Sequence, residues 1–139
     1  MKTLEVGCAI ITALTGPNAG KILIARRKLD DHLGGLWEFP GGKKEDYESM
    51  EECLVREAME ELQVEIKPHQ FLRRTDHTLP QRIIALHFYI CHWVSGEPVA
   101  IDCLEFCWVT PPELKKFQFP EGDEDVINEL IQSYFSKKI

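Results

Sequence analysis

GKKEDYESMEECLVREAMEELQV, Gly42 to Val64, is the stretch whose reading decides the fold. Ser49 followed three residues later by Glu52 is the S-x-x-E pattern of a capping box, so a helix opens at Ser49. Met50, Leu54, Ala58 and Leu62 recur at every fourth position and make one apolar stripe, which carries the helix to Leu62. Glu57, Glu60 and Glu61 stand at i, i+3 and i+4, a turn apart on one face. Three anions so placed repel one another. Such a face is dispersed in water, partly protonated or neutralised by a cation. Oxygen-only donors favour a hard cation, Mg2+ or Mn2+, before zinc. Just upstream, Pro40-Gly41-Gly42 cannot continue a helix or a central strand. Its bare backbone allows close approach, and a Gly42 carbonyl can join the carboxylates. Arg56 interrupts the acidic surface and can fix a glutamate through a bidentate pair.

Outward from this helix the chain alternates between strands and helices. Leu4–Leu14 is apolar and β-branched and reads as a buried strand. After a turn over residues 15–20, Lys21–Arg27 is a second strand, forming a hairpin with the first. Lys28–Leu36 is a polar loop. Downstream, Val64–Arg74 contains a strand, Arg82–Val94 is a long one, and Pro98–Ile101 and Phe106–Val109 are shorter ones. Pro111-Pro112 opens a helical turn. Glu124–Phe135 is an amphipathic closing helix, with Val126, Ile127, Leu130, Ile131 and Phe135 at helical spacing. This mixed order predicts an α/β sandwich formed as a single domain over residues 1–139.

The chain has 139 residues and a net charge of −7. From Lys43 to Glu61, eight acids face three bases, so this segment carries −5 and sets the sign of the whole chain. An acidic surface argues against a nucleic acid polymer or an anionic membrane as partner. No apolar run approaches the roughly 20 residues of a bilayer span. The five cysteines are scattered without a C-x-x-C pair, which suits a reduced, cytoplasmic protein.

The spacing Gly42, five residues, Glu48, seven residues, then Arg56-Glu57-Ala58-Met59-Glu60-Glu61-Leu62-Gln63-Val64 resembles the Nudix box, G-x5-E-x7-R-E-U-x-E-E-x-G-U, where U is a bulky apolar residue. Six anchors match: Gly42, Glu48, Arg56, Glu57, Glu60 and Glu61. Ala58 is small for its apolar position, and Gln63 replaces the glycine that caps the helix in left-handed conformation. Arg26-Arg27, His32 and Trp37 to Lys43 are similar to the upstream region of MutT-type members, the 8-oxo-dGTP diphosphatases and related nucleotide-pool enzymes. Arg82, Trp108, Phe119-Pro120 and Asp123 continue the likeness.

The resemblance implies an α/β/α sandwich around a mixed, partly antiparallel sheet, and hydrolysis of a nucleoside diphosphate linked to another group with Mg2+ or Mn2+. It implies Glu57, Glu60, Glu61 and the Gly42 carbonyl as metal ligands. A box carboxylate or one outside it, Asp102 or alternatively Glu105, activates the attacking water. Arg56 and Glu48 hold loop and helix together. Lys43, Arg27 and Arg82 are candidate phosphate or base contacts, and Phe39 a candidate to stack on or pack beside a base. Asp123 is placed as a base reader. An ionised Asp123 favours bases that present donors, which keeps both 8-oxo-dGTP and CTP-type substrates open. The leading expectation is a nucleoside triphosphate pyrophosphohydrolase acting as monomer or homodimer. Hydrolysis of nucleotide sugars or dinucleotides and non-catalytic ligand sensing are the alternatives.

Overall fold

Alternation along two apolar strands sorts the core into two layers. In the computed structural model, which describes residues 2–136, β2 (Ile22–Arg26) and the second half of β1 (Lys2–Thr12) are largely buried. Successive side chains of a strand point to opposite faces. Ala9, Ile11, Leu23 and Ala25 therefore pack on one face, together with Leu54, Ala58 and Leu62. Ile10, Ile22 and Ile24 pack on the other, together with Val126, Ile127 and Leu130. The helices supplying those partners, α1 (Met50–Leu62) and α2 (Glu124–Ser136), cover opposite faces. The expected α/β/α sandwich follows.

The other strands are β3 (Trp37–Glu38), β4 (Gly41–Lys43), β5 (Glu65–Leu79), β6 (Arg82–Ser95) and β7 (Glu105–Val109). The sheet runs β3-β2-β1-β6-β5, with β4 also on β1 and β7 also on β2. β1 and β6 are parallel from Lys2↔Arg82 to Thr12↔His92, and the other named strand pairs are antiparallel. β1 meets β2 only at Ile11↔Leu23 and Thr12↔Ile22. Beyond that the hairpin opens. β3 takes the edge of β2 and β4 takes the edge of β1, with Gly7 opposite Gly42. Pro40 sits between the two short strands, and its carbonyl accepts from the Ala9 N–H at 2.7 Å. This inserted segment carries Gly42 to the flank of α1. Gly7 lets the helix lie close, since a Cβ there would come within 2.9 Å of Met50 Sδ and 3.0 Å of Leu54 Cδ2.

Both ends of α1 match the sequence reading. The Ser49 hydroxyl accepts from the Glu52 N–H, and the Glu52 carboxylate accepts from the Ser49 N–H at 2.8 Å. Gln63 adopts φ 56°, ψ 37° and its N–H donates to the Met59 carbonyl at 3.0 Å. A side chain in that left-handed conformation costs on the order of 1 kcal/mol.

Pro98–Ile101, expected as a strand, is not one. It runs beside the end of α1, where Val99 N–H donates to the Leu62 carbonyl and the Ile101 and Asp102 N–H groups both donate to the Glu61 carbonyl. The last carbonyls of a helix lack intrahelical partners, and this segment satisfies them instead of joining a ladder. β5 also runs past Arg74 to Leu79 against β6. Among the described residues no helix is long and apolar enough to cross a membrane. All five cysteines are free thiols.

Candidate active site

The acidic face of α1 is organised by one arginine. Arg56 Nε and Nη2 hold Glu48 as a bidentate pair, at 3.0 and 2.7 Å. Nη2 also donates to the Lys43 carbonyl at 3.1 Å, which joins the helix to the end of β4. Nη1 reaches Glu57 at 3.0 Å and Glu60 at 2.8 Å. Glu48 in turn accepts from the Glu45 N–H at 2.9 Å. The Arg56 guanidinium and that N–H hold the Glu48 carboxyl well below the usual carboxylate range. Loop and helix are thus clamped as expected, but Arg56 serves three glutamates rather than one.

Glu61 is different. It is only 8% exposed, and its Oε2 is buried without a hydrogen-bond partner. Burial, then the charges of Glu38 and Glu57, a hydrogen bond shared with the Glu57 carboxyl and the charge of Asp102, push its carboxyl up to about 9. Glu60 points outward and is 53% exposed. Glu57 lies against β4: a Cβ on Gly42 would come 2.6 Å from its carboxylate, so glycine leaves that carboxylate its place and a larger residue would push it aside. Cys53 Sγ contacts the Gly42 carbonyl at 3.5 Å.

A second acidic group faces the first across β1. Glu38 accepts from Arg27 Nη1 at 2.9 Å, and Arg27 Nε donates to the His32 carbonyl at 2.7 Å. Burial still holds the Glu38 carboxyl above its ordinary range, against the pull of Arg27. Asp123 closes a short 3-10 turn before α2 and is 7% exposed. Burial, then the charge of Glu38, pushes it up to about 7. The Cys8 thiol on β1 is raised by burial and by the charges of Asp123, Glu38 and Glu61, which records how these acids surround that point of the strand. Glu38 was not among the residues expected at the site. A charged residue between Trp37 and Phe39, in an otherwise apolar run, was the signal available.

Asp102 is 66% exposed and its Oδ1 lies 2.9 Å from Lys28 Nζ. Glu105 opens β7 opposite Arg26 and is bound to it at 3.0 Å. Lys43 is exposed at the end of β4. Two expected substrate contacts are not brought to these acids. Phe39 is 4% exposed in the core, its ring 5.1 Å from Phe119 and 6.2 Å from Phe88. Its place next to Glu38 turns it to the opposite face of the sheet segment. Arg82 is exposed at the start of β6 opposite Lys2. That is five positions along β1 from Gly7, roughly 16 Å at the rise of a strand.

The donors fit an oxygen-liganded divalent cation. Among the described residues no three acids or imidazoles already converge on one point. Arg56 draws Glu57 and Glu60 aside, and Glu61 turns inward with an orphaned oxygen. A buried carboxylate oxygen lacking a partner, next to a second carboxylate and a glycine carbonyl held only by the weak Cys53 thiol donor, suits a hard cation.

A mixed sheet between two helices, with this glycine, arginine and glutamate set on β4, the loop after it and the first helix, defines a Nudix domain, and the chain belongs to that family: the model described as NUDIX domain matches residues 12–129. Nudix hydrolases are generally dependent on a divalent metal. The chain is 36% identical over 126 residues to the CTP pyrophosphohydrolase of Escherichia coli, covering 91% of this chain and 88% of that one. It is 32% identical over 130 residues to the 8-oxo-dGTP diphosphatase of Escherichia coli, covering 94% and 98%. The solution structure of the E. coli ORF135 protein superposes with a TM-score of 0.79 at 32% identity, over 95% of this chain and 91% of that one.

Proposed function

We propose that this Nudix hydrolase is a nucleoside triphosphate pyrophosphohydrolase that yields a monophosphate and pyrophosphate, working as a single domain in the cytoplasm. Mg2+, or Mn2+ in its place, is the cation, held by Glu57, Glu60, Glu61 and the Gly42 carbonyl. The observation that carries the reading is Glu61, buried beside Glu57 with an unpartnered oxygen. When bound, the cation supplies positive charge that offsets the acidic helix and stabilises charge on the departing phosphate.

The residues divide the work. Glu48 and Arg56 fix the β4 segment to α1, so the Gly42 carbonyl and the glutamates keep one geometry. Asp102 takes a proton from the attacking water as its oxygen bonds to phosphorus and the bridging P–O bond breaks. Glu105 is the weaker candidate because Arg26 already holds it. Arg27 and Lys43 supply positive charge near the phosphates. Phe39 supports the base pocket from within the core through Phe119, and Arg82 stands apart from it.

Asp123 reads the base. Because its carboxyl is pushed up to about 7, it is present in both forms near neutral pH. Protonated, it donates and accepts, as an amide does. This supports an oxidised purine, 8-oxo-dGTP, as first substrate. CTP or dCTP is the second reading, favoured by the 36% identity to a CTP pyrophosphohydrolase. The test is a panel of 8-oxo-dGTP, dGTP, CTP, dCTP, a nucleotide sugar and a dinucleotide with Mg2+, counting pyrophosphate and phosphate separately. Pyrophosphate from one triphosphate well above the rest supports the reading and names the base. Turnover only of the sugar or dinucleotide overturns the substrate class.

A further inference from the structure

Lys28 stands at the rim of the acidic site, and the reading above gives it no task. Its ammonium lies 2.9 Å from Asp102 Oδ1. Asp102 is fixed through its backbone: its N–H donates to the Glu61 carbonyl at 3.2 Å, and the Leu104 N–H donates to the Arg26 carbonyl at 2.8 Å. The segment carrying Asp102 is therefore strung between the end of α1 and the end of β2, where Lys28 follows Arg27. The two cations there divide between two acids, Arg27 on Glu38 and Lys28 on Asp102. The charge of Asp102 is felt at both Glu61 and Glu38. A tethered backbone with an exposed side chain lets this carboxylate change partner without moving the chain.

We propose that Lys28 is a positioning residue for Asp102: it holds that carboxylate at the rim of the acidic site and offsets its attraction for the divalent cation. The proposal rests on the preceding reading, since it needs a cation among Glu57, Glu60 and Glu61. The positive charge that steadies Asp102 also repels a divalent ion arriving beside Glu61. An ion held by Glu57, Glu60 and Glu61 also draws on the charge of Asp102 and loosens the ammonium from it, so that Lys28 is free to meet the substrate phosphates while Asp102 stays available to the attacking water. Lys28 thus opposes the metal alone and favours the metal with its nucleotide. Both side chains are partly exposed, so the effect is that of a screened pair, about three- to fivefold in affinity.

The test is a Mn2+ titration of nucleotide-free protein, following free Mn2+ by electron paramagnetic resonance. It compares wild type, Lys28→Met, Lys28→Arg, Asp102→Asn and the Lys28→Met/Asp102→Asn double variant. Lys28→Met is expected to bind Mn2+ about three- to fivefold more tightly, Lys28→Arg as wild type does. In the Asp102→Asn background the Lys28→Met effect is expected to shrink to about twofold or less, the remainder being the direct repulsion between the ammonium and the ion. With triphosphate, Lys28→Met is expected to raise KM a few-fold and leave kcat within about twofold. Unchanged Mn2+ affinity in Lys28→Met would overturn the proposal, as would an equal effect in the Asp102→Asn background. Wild type that binds Mn2+ but hydrolyses no triphosphate overturns the substrate reading, and the titration still decides for or against Lys28. Wild type that binds no Mn2+ overturns both.

Discussion

Glu61→Gln, measured in chelator, is expected to remove much of a pH dependence of stability. In the native chain the Glu61 carboxyl is buried and raised to about 9, with burial the largest cause, followed by the charges of Glu38, Glu57 and Asp102. In the unfolded chain it titrates near the ordinary glutamate value, about 4.3. Between those two values the native state holds a proton that the unfolded state has lost. Stability therefore falls as pH rises through this window, by on the order of 1 kcal/mol per pH unit. From pH 5.5 to 7.5 the loss belongs to Glu61 together with the acid it shares its proton with, and is on the order of 1 kcal/mol or more. Asp123, raised to about 7, adds a loss of the same sign that fades as pH passes its own native value.

The neutral, nearly isosteric amide abolishes the Glu61 share. Urea denaturation in chelator at pH 5.5, 6.5 and 7.5 should show Glu61→Gln gaining on wild type by about that margin. Mg2+ should then stabilise wild type at pH 7.5 and leave the variant nearly unmoved. Calorimetry in buffers of different ionisation enthalpy should count about one proton released per metal bound. Parallel pH profiles for the two proteins, or metal binding without proton release, would refute the argument that Glu61 is held neutral until a cation arrives.

Glu60→Gln should lower kcat by about two orders of magnitude or more while leaving stability within ~0.5 kcal/mol, because Glu60 is exposed and only one of several partners of Arg56; turnover assays and urea melts check both, and substantial residual turnover refutes the metal assignment. Gly42→Ala pushes the Glu57 carboxylate aside, and should cost most of the metal affinity while changing stability by less than about 1 kcal/mol, because the displaced group is the mobile end of a side chain; metal titration and urea melts check both. Gln63→Gly relieves the left-handed strain at the end of α1, so it should add about 0.5–1 kcal/mol and leave turnover unchanged. Asp123→Asn should flatten any change in substrate ranking between pH 6 and 8. In wild type, kcat/KM for a base needing a donor from Asp123 should fall as pH rises through about 7.

The parts of this fold set by neighbours in sequence were legible before any coordinates. Ser49, Glu52 and the four-residue recurrence from Met50 to Leu62 give α1 because capping and amphipathicity act within a few residues. The left-handed backbone at Gln63 was legible for the same reason, as the position at which the helix must stop. What escaped depended on distant partners. Pro98–Ile101 has strand composition, yet its N–H groups meet the open carbonyls of Glu61 and Leu62. Those partners belong to a helix more than thirty residues earlier. Glu38 was invisible as a site residue because its importance comes from β1 and β2 parting. Phe39 looked available for stacking until its neighbours Phe88 and Phe119 enclosed it.

The same distinction explains how a helix with so acidic a face is tolerated in the fold. Spacing alone puts Glu57, Glu60 and Glu61 on one face and predicts repulsion between them. The structure resolves that repulsion in two ways. Arg56, one turn from Glu60 and next to Glu57, shares its guanidinium between the two more accessible carboxylates. Glu61 is beyond its reach, buried against the sheet, and there a proton is the remaining means of removing the charge. The arriving cation therefore finds two anions already screened and one acid still protonated. Its binding is governed by displacing that proton, so affinity for Mg2+ should rise with pH until Glu61 ionises unaided. Arg56 need not leave, because its bidentate hold is on Glu48. An arginine placed on Glu61 instead would have kept the fold and spoiled the metal site.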